Sequence, residues 1–79
     1  MSLNSQIPFR AAAVTPSDST ELFGHALYVG GGGNVALLTE GGDTVVFSAV
    51  PAGTTIVQRF TKVLATNTTA TLLVRQWAS

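Results

Sequence analysis

Few side chains in this sequence can do chemistry. His25 is the sole histidine, and the carboxylates are Asp18, Glu21, Glu40 and Asp43. A general base needs a nucleophile or an oriented acid beside it, and a metal needs three or four ligands. These five groups are scattered along a chain with no cysteine. Their spacing assembles neither a catalytic set nor a metal-ligand set. His25 therefore reads as a hydrogen-bonded residue at a strand end. Glu40 and Asp43 flank Gly41-Gly42, where acidic side chains sit because they are solvated.

The run Gly30 to Gly33 invites a phosphate-binding reading and fails it. A Walker loop places lysine and then serine or threonine after its last glycine, whereas Asn34-Val35 follows here. The dinucleotide pattern requires glycine at its first, third and sixth positions, and the sixth residue from Gly30 is Val35. No helix follows to offer its N-terminus to an anion. No cofactor is expected. Asn67-Thr68-Thr69 fits the glycosylation sequon by chance, since no secretory signal accompanies it. Arg10, Arg59, Lys62 and Arg75 are dispersed, with Arg59 and Lys62 on opposite faces of one strand. They form no stripe that could follow a nucleic acid. Trp77, Tyr28 and Phe60 read as core or interface anchors. The residues point away from an enzyme.

Size and composition agree. The chain has 79 residues, zero formal net charge and only 10% charged residues, which argues against nucleic-acid and polybasic membrane partners. No stretch approaches the ~18 apolar residues of a membrane helix. Met1 to Pro8 is polar and lacks a basic segment followed by an apolar core, so no signal peptide is expected. A chain this short buries only ~60% of its unfolded surface. With 46% hydrophobic residues and no disulfide, part of that surface is expected to face other protein.

The elements that must position these residues are strands. Apolar, β-branched runs predict strands at Ala11–Thr15, Ala26–Val29, Val35–Thr39, Thr44–Ala49, Thr55–Ala65 and Ala70–Trp77. Glycine and proline punctuate them. Glu40-Gly41-Gly42-Asp43 predicts a two-residue hairpin with positive φ at both glycines. Val50-Pro51-Ala52-Gly53 predicts a type I turn, and Ala65 to Thr69 a last hairpin loop. Asp18 to Glu21 could cap one short turn before Gly24 stops it. The pattern predicts a strand meander closing into an all-β antiparallel sandwich or small barrel. Residues 1–19 read as an extended N-terminal arm and 20–79 as the β domain. In the long run, both faces mix apolar and polar side chains. Either a bulge shifts the register there or a second subunit covers one face.

Several segments, in order, resemble the head spike base proteins of phages and gene transfer agents. They are Thr15-Pro16-Ser17-Asp18, Ala26-Leu27-Tyr28-Val29-Gly30, Gly42-Asp43-Thr44-Val45-Val46-Phe47, Val50-Pro51-Ala52-Gly53-Thr54, and Lys62 to Thr66 with Thr68 to Thr71. The resemblance spans roughly Thr15 to Trp77. It implies a structural virion protein, made in the host bacterial cytoplasm and attached outside a tailed-phage-like capsid. Implied partners are the major capsid protein, a spike or fibre protein, and further copies of the chain. A pentamer at a fivefold vertex is favoured, with a trimeric cement protein at threefold sites as the other geometry. The alternative from another class is a small carbohydrate-binding module reading host glycans through Trp77 or Tyr28. Expected interface positions are Phe9 and Val14 of the arm, together with Trp77 and the loop ends. Gly30, Asn34, Gly42 and Asp43 are expected at one end, and Pro51, Thr54 and Asn67 at the other.

Overall fold

The computed structural model describes residues 10–77, and these contain seven strands. Their order is β1 (Arg10–Val14), β2 (Ala26–Gly31), β3 (Gly33–Thr39), β4 (Thr44–Val50), β5 (Thr54–Ile56), β6 (Phe60–Leu64) and β7 (Thr71–Trp77). Sheet A has the order β1-β7-β2-β5 and sheet B the order β4-β3-β6, every pair antiparallel. The two sheets form the expected sandwich. Leu27, Val29 and Leu73 from sheet A meet Val35, Leu37, Phe60 and Val63 from sheet B, with Val14 and Phe47 packed against them. At one corner Gly24 and Phe60 exchange two backbone hydrogen bonds of 3.0 Å each, which ties the lead into β2 directly to sheet B.

The meander is corrected. Only β3 and β4 are sequence neighbours that pair, while four connections carry the chain from one sheet to the other. Glycine and proline mark where a chain turns, but the partner strand is chosen by burial on both sides. Residues 65–69 are accordingly a crossover from β6 to β7, not a hairpin loop. The Glu40–Asp43 turn also differs in type. Gly42 N–H donates to the Thr39 carbonyl and Thr39 N–H to the Asp43 carbonyl, giving a three-residue loop in which only Gly42 has positive φ, 95°. That is a type I turn followed by a left-handed residue. The second turn is shifted by one residue. Thr54 N–H donates to the Pro51 carbonyl at 3.3 Å, and Gly53 takes the third position at φ 86°.

Two further differences concern the ends of runs. The predicted strand Thr55–Ala65 breaks at residues 57–59 into β5 and β6, and the register against β3 shifts between Leu38 and Thr39. Those two irregularities turn Ile56, Phe60 and Val63 all inward, as a bulge does, while Val57 stays exposed. Arg10–Val14, expected within the arm, pair with β7 as an edge strand. The strand expected at Ala11–Thr15 is thus present, displaced by one residue. Beyond it, Ser17, Leu22 and Gly24 donate backbone N–H groups to Val63, Thr61 and Phe60 carbonyls, covering the outer edge of β6. In place of a helical turn, the Ser17 hydroxyl accepts from Ser19 and Thr20 N–H.

Candidate functional site

The loops expected at two ends gather differently. Gly30–Asn34, Pro51–Thr54 and Asn67–Ala70 meet at one end of the sandwich, and the Gly41–Asp43 turn lies at the other, seven residues of β3 away. Asn34 organises the first end. Its N–H donates to the Thr69 hydroxyl at 2.9 Å, and its carbonyl accepts from Thr69 and Ala70 N–H at 2.9 and 3.0 Å. Its side-chain oxygen accepts from Ala49 N–H at 2.9 Å, holding Ala49 at φ 54° in a bulge of β4. The Thr68 hydroxyl accepts from Ala36 N–H at 2.9 Å. Gly33, at φ 153°, is required beside them: a Cβ there would lie 2.8 Å from Ala70 N. The Asn34 carboxamide oxygen is thereby committed to Ala49, leaving Pro51 and Asn67 as exposed candidates and Thr54 half-buried.

The opposite end carries aromatic rings and charge. Arg75 and Trp77 follow Leu73 on the inward side of β7, where the sandwich opens. The Arg75 guanidinium lies 4.0 Å from the Trp77 ring centre and donates to the Phe23 carbonyl at 2.7 Å. Phe23 meets Trp77 and His25 edge-on at 6.0 and 6.1 Å, and Arg10 lies 5.7 Å from Trp77. These groups cluster beside the core with Phe23 half exposed and Arg75 and Trp77 half-buried. Arg59 and Glu40 pair at 3.7 Å nearby, both exposed. Among the described residues no three of His, Asp and Glu gather where a metal ion could be held.

Between the ends, the outer side of sheet A is uncharged. Ala11, Ala13, Tyr28, Leu72 and Val74 share it by strand alternation and register. Leu72 is 75% exposed and sits at φ 55°, an unusual backbone for a branched residue. Asp18 clips the segment before β2 to the β6–β7 crossover: its carboxylate accepts from Thr66 N–H at 2.9 Å and from the Thr66 hydroxyl at 2.6 Å. The bonds from Thr66, with a smaller contribution from Lys62, hold its carboxyl below the usual range.

Of the remaining expected positions, Val14 is half-buried against the core, Gly42 and Asp43 are exposed at the hairpin tip, and Trp77 is half-buried. Phe9 lies outside the described residues. Sequence reasoning missed Phe23, Arg75, Leu72 and the edge residues Val45 and Val46. Arg75 was readable, because it lies two residues before Trp77 on the same face of one strand.

No family model matches the sequence, and no curated protein does. One chain of a solved structure, described as the capsid of a native GTA (gene transfer agent) particle computed with C5 symmetry, is 38% identical with a TM-score of 0.78. The match covers 96% of this chain and 99% of that one. Identity at that level over nearly all of both chains means that this β-sandwich belongs to a family of capsid-associated structural proteins of gene transfer agents.

Proposed function

We propose that the protein sits on the outside of a tailed-phage-like capsid as a homo-oligomer, serving as a head spike base or a decoration protein and catalysing nothing. The full-length likeness to a chain of a GTA capsid carries this reading. The favoured geometry is a pentamer at a fivefold vertex, bound to the major capsid protein and carrying a spike or fibre; a trimer at threefold sites is the other geometry. Attachment at a symmetry axis lets several weak contacts act together through effective concentration. Contacts of that kind need apolar and hydrogen-bonding surface more than charge. The uncharged outer side of sheet A and the exposed Pro51 and Asn67 supply it.

Purified protein added to capsids that lack it should occupy one class of symmetry site at low and at high salt, because few ion pairs are there to be screened. Imaging the particles reads the occupancy. Empty sites in both conditions would reject the proposal. Sugar stacking on Trp77 is disfavoured, since Arg75 already lies over its ring.

A further inference from the structure

Of the four cations in the chain, two are answered by the chain's own acids and two are not. Arg59 pairs with Glu40 at 3.7 Å, and Lys62 stands close enough to Asp18 to help lower its pKa. Arg75 and Arg10 converge instead on Trp77, their guanidinium carbons 4.0 and 5.7 Å from the ring centre. All four carboxylate side chains of the sequence lie among the described residues, and none pairs with either of these arginines.

Arg75 is the anomaly. It stands opposite the buried Leu27 on the inward side of sheet A, a place where an apolar side chain would be easier to hold. Its Nη1 donates to the Phe23 carbonyl at 2.7 Å, while Nε is enclosed without a hydrogen-bond partner. Nη2 is neither bonded nor enclosed. A half-buried cation with an unsatisfied N–H is destabilising, and the ring faces of Trp77 and Phe23 offset only part of that. A carboxylate beside the guanidinium would offset the rest.

We infer that Arg75 receives an aspartate or glutamate side chain of a partner protein, with the exposed Arg10 adding positive field. Nη2 of Arg75 is the donor still available to it. The Phe23 ring, 50% exposed next to the guanidinium, offers apolar contact to the stem of the incoming residue. A nucleic acid is disfavoured, because no stripe of unpaired cations continues from the two arginines. An acidic sugar is disfavoured as well, because Arg75 already lies over the Trp77 ring on which it would stack. One such ion pair per copy gives direction to an otherwise uncharged contact and leaves its salt dependence mild.

Trp77 is the only tryptophan in the chain, so its emission reports on the site directly. The full chain is titrated at neutral pH with acetyl-tetraglutamate amide, and in parallel with the tetraglutamine peptide and with inorganic phosphate. The glutamate peptide is expected to give a saturable change in emission, half complete at about millimolar concentration, and the glutamine peptide none. Arg75→Lys keeps the charge but loses the planar fork and should weaken binding about tenfold. Arg10→Gln, at an exposed position, should weaken it about threefold. Circular dichroism checks the fold of both, and if Arg75→Lys does not fold, Arg10→Gln decides. No saturable change, an equal response to the glutamine peptide, or an affinity that no folded variant lowers overturns the site. Saturation by phosphate at a lower concentration than by the glutamate peptide overturns the choice of a carboxylate. Capsid attachment is tested separately by occupancy, so either idea can fail without the other.

Discussion

The two ends of the sandwich are held by different physics. At the Asn34 end, backbone amides are satisfied by threonine hydroxyls, one carboxamide and glycines that allow close approach. At the Trp77 end, the rings of Phe23 and Trp77 meet edge-on and the guanidinium groups of Arg75 and Arg10 lie over Trp77. The first arrangement is directional and tolerates little displacement, because each bond is lost when its partner moves. The second relies on ring and cation contacts of broad geometry and accommodates small shifts.

The comparison breaks most completely at Phe60, which is buried against the core and lies under Gly24. Phe60→Ala is expected to cost ~3–5 kcal/mol, comparable to the whole stability of so small a domain. Near-UV circular dichroism of Trp77 should collapse with it, and a retained Trp77 signal would show that the aromatic end stands without the core.

Gly33→Ala is the selective break at the other end. A methyl group would press on Ala70 N at a φ that L side chains rarely adopt, at a cost of about 1–3 kcal/mol. The melting temperature should drop about 4–8 °C per kcal/mol, while the Trp77 signal below the transition stays as in the parent. Loss of that signal would mean that the ends are coupled.

A smaller effect is expected from acid. The bonds from Thr66 lower the folded pKa of Asp18, so their contribution is complete above the ordinary carboxylate value and is lost as pH falls through the lowered one. Melting temperature should therefore decline below about pH 4, and Asp18→Asn should flatten that part of the curve. The smallest change belongs to Glu40→Gln. The Arg59–Glu40 pair is 3.7 Å long and exposed on both sides, so stability should move by less than about 0.5 kcal/mol in a denaturant titration.

Much of this was legible in the sequence. Valine and threonine runs placed six of the strands within a few residues, and two-sheet, all-β architecture followed from them. Pairing was not legible, because alternation says which side of a strand is buried and is silent about which strand lies beside it. The crossover at residues 65–69 looks like a hairpin loop for that reason. Turn type escaped too: Gly41-Gly42 satisfies both a two-residue and a three-residue loop, and the hydrogen bonds of Thr39 decide. At the candidate site, Trp77 stood out by its size, whereas the role of Asn34 depends on partners 15 and 35 residues away.

The position of β7 has a consequence for how the protein is made. It lies between β1 and β2, which have no direct pairing with each other. A ribosome releases β1 and β2 long before β7, so sheet A has no centre until Thr71–Trp77 emerge. The β3–β4 hairpin, the only pairing between sequence neighbours, is the natural early structure, and the remaining closures span long stretches of chain. Folding is therefore expected to complete after synthesis, on the millisecond-to-second scale of such topologies. Until then β1 lacks its partner strand, so the edge of sheet A is the last part of the sandwich to form.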